Sequence, residues 1–150
     1  MNKIEISNSA FYTLEAKEIG DIILYRGCVQ DNKMEFLCYG DELKSPRYKI
    51  ILRAFKEVIE KNNNILLYMC SSPILDKELI PYESELGIEK NCIHISKEEL
   101  TLIMEKVSYK IMVSNVMKTG YYIEQTSQII PCNFAAVLDY INEIIEKVRI

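Results

Sequence analysis

The side chains that first suggest chemistry are a thiol, two hydroxyls and the chain's single histidine. Cys70, Ser71 and Ser72 end the apolar run "ILLYMCSS", and His94 alternates with isoleucines in "CIHIS". A thiolate at a strand end is a nucleophile when a histidine or a helix N-terminus lowers its pKa. On neighbouring strands, Cys70 and His94 could meet as such a dyad, although the sequence specifies no oxyanion donors and no Asn or Asp to orient the imidazole. The sixth residue after Cys70 is Asp76, which excludes a C-x5-R phosphatase loop, and no G-x-S-x-G elbow surrounds Ser71 or Ser72. The simpler account makes Ser71, Ser72 and Pro73 the stop of a strand and His94 a structural residue.

Other constellations are weaker. The five glycines (Gly20, Gly27, Gly40, Gly87, Gly120) stand alone, so neither a G-x-G-x-x-G turn nor a Walker loop can be assembled from them. The five cysteines (Cys28, Cys38, Cys70, Cys92, Cys132) are odd in number, scattered and never paired as C-x-x-C, which argues against a disulfide framework and against a zinc site. They read as small buried hydrophobes. No cofactor and no metal are expected.

Charge narrows the partners. A net charge of -4 without any Lys/Arg cluster disfavours nucleic acid, whose binding rests on clustered cations. Two surfaces suggest a protein partner instead. The acidic stretch "DKELIPYESELGIEK", interrupted by Pro81 and Gly87, reads as an exposed excursion in which Tyr82, Glu83, Glu85 and Glu89 could meet a basic patch. Tyr121 and Tyr122 follow Gly120 and carry the mixed apolar and polar character that favours interfaces.

These residues need elements to hold them. With 49% hydrophobic and 27% charged residues, the chain has the balance of a folded soluble protein, and its length of 150 suits a single domain. The longest apolar runs fall short of the roughly 20 residues of a membrane helix, and the N-terminus lacks a secretion pattern, so a cytoplasmic location is expected. "DIILYRGCVQDNKMEFLCYG" reads as a hairpin turning near Asp31, Asn32 and Lys33, preceded by further extended chain. A helix follows, with Ser45 as N-cap, Pro46 at its first position and a stripe of Ile50, Ile51, Ala54, Phe55, Val58 and Ile59. Residues 65–70 are then a central strand buried on both faces.

"NCIHIS" suits a short strand, and Ser96-Lys97-Glu98-Glu99 is a capping box that starts a helix with Leu100, Ile103, Met104 and Val107 inward. That helix is expected to end between Ser108 and Ile111. "TGYYIEQTSQII" is extended chain halted by Pro131, and Asn133 caps a last helix with Phe134, Val137, Leu138, Ile141, Ile144, Ile145 and Val148 inward. The expected fold is α/β (or α+β): a mixed sheet with an N-terminal antiparallel meander, then α-β-α-β-α, with the helices packed on the sheet.

This order of elements resembles ribonuclease-H-like folds. The resemblance implies a two-metal nuclease site of convergent carboxylates. Glu5 or Glu15, Glu57 or Glu60, and Asp139 are available, but the rim of the central strand offers Ser71 and Ser72 where an acid is needed. The function expected is therefore non-catalytic: capture of a macromolecule, in the manner of an immunity protein, antitoxin or phage-encoded inhibitor. The alternatives are a small enzyme or ligand-binding protein using Cys70, Ser71, Ser72 and His94 at the carboxyl end of the central strand, and a self-associating subunit that forms homo-oligomers.

Overall fold

The computed structural model describes residues 34–114, 120–123, 126 and 128–149. Met34 aside, these lie in one compact unit, Glu35–Ile150. Apart from its last strand, the predicted meander lies outside the described residues, as do the hairpin tip at Asp31–Lys33, Cys28, and the candidate acids Glu5 and Glu15.

In chain order the elements are β1 (Met34–Gly40), α1 (Pro46–Lys61), β2 (Ile65–Cys70), α2 (Pro73–Leu86), a 3-10 turn (Glu89–Asn91), β3 (Cys92–His94), α3 (Lys97–Lys106), β4 (Tyr109–Val113), β5 (Gly120–Ile123), β6 (Gln128–Pro131) and α4 (Phe134–Arg149). Among the described residues the strands form a six-stranded sheet in the order β3-β2-β1-β4-β5-β6. β1 runs parallel to β4, with Cys38 opposite Ile111, and β2 runs parallel to β3. β5 is antiparallel to both β4 and β6. The α/β class with helices on a mixed sheet is as expected.

Alternation along the strands assigns the layers. Leu37 of β1 and Leu66, Tyr68 and Cys70 of β2 face Ile103 and Val107 at α3, with Tyr39, Leu100 and Met104 packed around them. Phe36, adjacent to Leu37, points the other way and meets Phe55 of α1 edge-on, the ring centroids 5.0 Å apart. Helices α1 and α3 therefore cover opposite faces. α4 joins α1, with the Arg53 guanidinium 5.9 Å from the centre of the Phe134 ring.

Several predicted boundaries hold. Ser96 accepts from the Glu99 amide while Glu99 accepts from the Ser96 amide, completing the capping box. Asn133 caps α4 through the Ala136 amide. Ser45 begins α1 as predicted, but its hydroxyl donates to Glu78 and accepts no helix amide.

Three expectations are corrected. The acidic excursion is mostly helix α2: Pro73 occupies the first turn, Pro81 is tolerated inside, and Gly87 closes the helix at φ 77°. This left-handed conformation is one that glycine adopts without steric cost. α3 stops at Lys106, because Tyr109–Val113 pairs with β1 as a strand. The single extended run after Gly120 is two antiparallel strands, with Tyr121 opposite Ile130. Among the described residues, three successive strands thus precede the last helix, an order that departs from the ribonuclease-H-like one.

Candidate functional site

The candidate site follows from how the chain leaves β1. It passes through α1 to β2 on one side, whereas β4, the other neighbour of β1, is reached through α3 on the opposite face. Where adjacent parallel strands diverge in this way, their carboxyl ends leave a crevice, the usual ligand position in open α/β sheets. Here that crevice has a volume of about 230 Å³ and is lined by Tyr39, Gly40 and Asp41 of β1 and its exit, Cys70 of β2, Lys97 and Leu100 of α3, and Met112 and Ser114 at the end of β4.

Its floor is built by close backbone packing. A Cβ on Gly40 would overlap the Val113 carbonyl oxygen, so only glycine lets β1 and β4 approach here. Beyond Gly40, the Asp41 and Glu42 amides both donate to that carbonyl, at 3.1 and 3.3 Å. Ser114, on the opposite wall, is held from below. The nearly buried Arg47 (9% exposed) donates to the Ser114 carbonyl at 2.8 Å and also to the Gly120 carbonyl. Its guanidinium lies 5.0 Å from the centre of the Tyr121 ring, and Tyr121 returns its hydroxyl to the Arg47 carbonyl at 2.6 Å.

Chemically, the crevice offers an apolar wall (Tyr39, Leu100, Met112), a thiol, a hydroxyl, one carboxylate and one ammonium. Cys70 is not an activated nucleophile. Burial pushes its thiol up, Lys97 opposes this in part, and the sulfur faces the Ser96 carbonyl at 3.8 Å. Ser71 donates to Asp76 at 3.1 Å, and Ser72 caps α2 by accepting from the Leu75 amide.

His94 does not pair with Cys70. Its Nδ1 lies 2.8 Å from Asp76 and its Nε2 lies 2.6 Å from Glu83, so both ring nitrogens are held by carboxylates. Burial alone would lower its pKa, but the two hydrogen bonds and the two negative charges raise it to about 9. The imidazolium is thus a charge-neutralising bolt between β3 and α2. The two carboxylates grip opposite ends of the ring, and among the described residues no cluster is arranged to hold a metal ion.

The six residues expected to bind a protein do not form one surface. Glu83 is 2% exposed because it serves His94, and Tyr121 is fully buried beside Arg47. Tyr82 is half-buried with Lys49 over its ring, and Glu85 and Glu89 are exposed. Tyr122 is half-buried opposite Met112 on β5, which the sheet order separates from β3 by β2, β1 and β4. Glu57 and Asp139 are exposed on their helices, and Glu60 pairs with Lys56.

Of the residues that the sequence names at the end of β2, Cys70 lines the crevice and Ser71, Ser72 and His94 do not, while Asp41, Lys97, Met112, Ser114 and the supporting Arg47 were not among those named. Lys97 was legible in part, since it follows the capping serine of a helix that enters from the carboxyl edge. Comparison with protein families, with curated proteins and with solved structures finds nothing that matches this chain.

Proposed function

We propose that the protein binds a small molecule in the crevice between the carboxyl ends of β1 and β4. The observation that carries this reading is the coincidence of the pocket with the point where the chain diverges to opposite faces of the sheet. Gly40 and Arg47 support it, because both hold the backbone that forms the walls. Capture of a macromolecule is the second reading, and it is left with Tyr82, Glu85 and Glu89 on α2 and the turn after it, apart from Tyr122.

Amide spectra recorded against a panel of apolar amino acids, short fatty acids, nucleosides and nucleotides at millimolar concentration test the first reading. Shifts should centre on Gly40, Asp41, Cys70, Lys97 and Ser114, and they should vanish in Met112→Trp, which fills the crevice. A panel that moves none of these signals, or shifts that survive Met112→Trp, would overturn it.

A further inference from the structure

Resting on that ligand-binding reading, we infer that the crevice takes a small monocarboxylate with an apolar body and rejects phosphate-bearing molecules. Lys97 supplies the attraction. Among the described residues it is the only cation in the lining and has no ion-pair partner, and its side chain is exposed. A lysine in the same lining as Tyr39, Leu100 and Met112 matches a ligand with one negative head and a hydrocarbon body.

Open α/β sheets bind phosphate with free amides at helix N-termini and glycine-rich turns. At this edge no glycine-rich turn is present among the described residues, and the helix N-termini have part of their donors already engaged. At α3, the Glu99 carboxylate already accepts from the Ser96 amide and Ser96 accepts from the Glu99 amide. At α2, Ser72 caps the helix and Asp76 sits in the first turn. Gly40 is packed against Val113 and cannot open into a cradle.

Charge points the same way. Asp41 lines the crevice, and Glu98 and Glu99 follow Lys97 in the first turn of α3. A dianion would meet one ammonium and the Asp41 carboxylate in the lining, with Glu98 and Glu99 next along the chain, and like charges held close together are unfavourable. A monoanion gains the ammonium and suffers less of the repulsion. Size agrees as well: about 230 Å³ equals the volume of roughly eight waters in the liquid, hence a ligand of about that many non-hydrogen atoms.

Three probes with one chain and different heads make the test: hexanoate, hexanol and hexyl phosphate, each titrated while the crevice amide signals are followed. Hexanoate is expected to bind at least fivefold tighter than either of the others, and Lys97→Met should remove that advantage while leaving hexanol unchanged. Hexyl phosphate binding as well as hexanoate, or an unchanged hexanoate affinity in Lys97→Met, overturns the inference while the crevice still binds. If none of the three moves a crevice signal, the inference also fails, and the broader reading is decided by the wider panel.

Discussion

Two polar clusters sit along the carboxyl edge of the sheet, and they differ in whether their groups are already satisfied. Around His94 the network is closed: Ser71 donates to Asp76, His94 donates to both Asp76 and Glu83, and Glu83 is almost fully buried. At the crevice Lys97 has no ion-pair partner among the described residues and shares the lining with the apolar Leu100 and Met112. The chain's only histidine and one of its most suggestive acids belong to the closed cluster. Conspicuous residue types therefore marked structure here, while the candidate site is assembled from a lysine, a methionine and a glycine.

The contrast can be broken most forcefully at Glu83. Glu83→Ala leaves a buried imidazolium with one partner lost, and removing one member of a buried ion pair costs about 3–5 kcal/mol. The midpoint of urea denaturation should fall accordingly. A loss no larger than that of Glu85→Ala would show that the cluster is not closed.

The pH dependence has the next largest effect. The folded pKa of His94 is about 9, above an unfolded value of about 6.5, so the stabilisation is complete below the unfolded value and is lost as pH rises through 9. The side chain is only 12% exposed, so screening is modest and the full change is about 3 kcal/mol at 1.36 kcal/mol per pKa unit. Part of that fall should be measurable between pH 7 and 8, and the slope in excess of the His94→Gln variant excludes the contribution of unfolded cysteines, which ionise towards about 8.5. A flat profile over this interval, or the same slope in His94→Gln, would remove the clamp from the account.

The smallest of the three effects is at Gly40. Gly40→Ala forces a methyl against the Val113 carbonyl, an overpacking that costs about 1–3 kcal/mol. Because the strain lies in the crevice floor, ligand shifts at Asp41 and Ser114 should weaken more in this variant than in Glu83→Ala compared at equal folded fraction. Equal weakening in both would mean that the two clusters are not independent.

The sequence declared those parts of the fold whose signals are local. The capping box at Ser96, the cap at Asn133 and the continuous apolarity of Ile65–Cys70 each act within a few residues. α2 was obscured because Pro81 and Gly87 look like breakers. The first costs the helix one hydrogen bond without ending it, and the second is the helix stop itself. Residues 109–113 have apolar and branched side chains compatible with helix or strand until β1 supplies a pairing edge. Burial of Glu83 and Tyr121 was invisible for a related reason: each is drawn inward by a partner distant in sequence, His94 and Arg47 respectively.

Arg47 also bears on the order in which the fold can be completed. Its guanidinium bonds the carbonyls of Ser114 and Gly120, 67 and 73 positions further along the chain. Helix α1 can gain its backbone bonds as soon as it emerges, but this charge stays hydrated until β4 and β5 have been made and docked. Contacts of such long sequence separation form late and slowly. The crevice wall at Ser114 therefore gains this support only once the chain from Arg47 to Gly120 has been brought together.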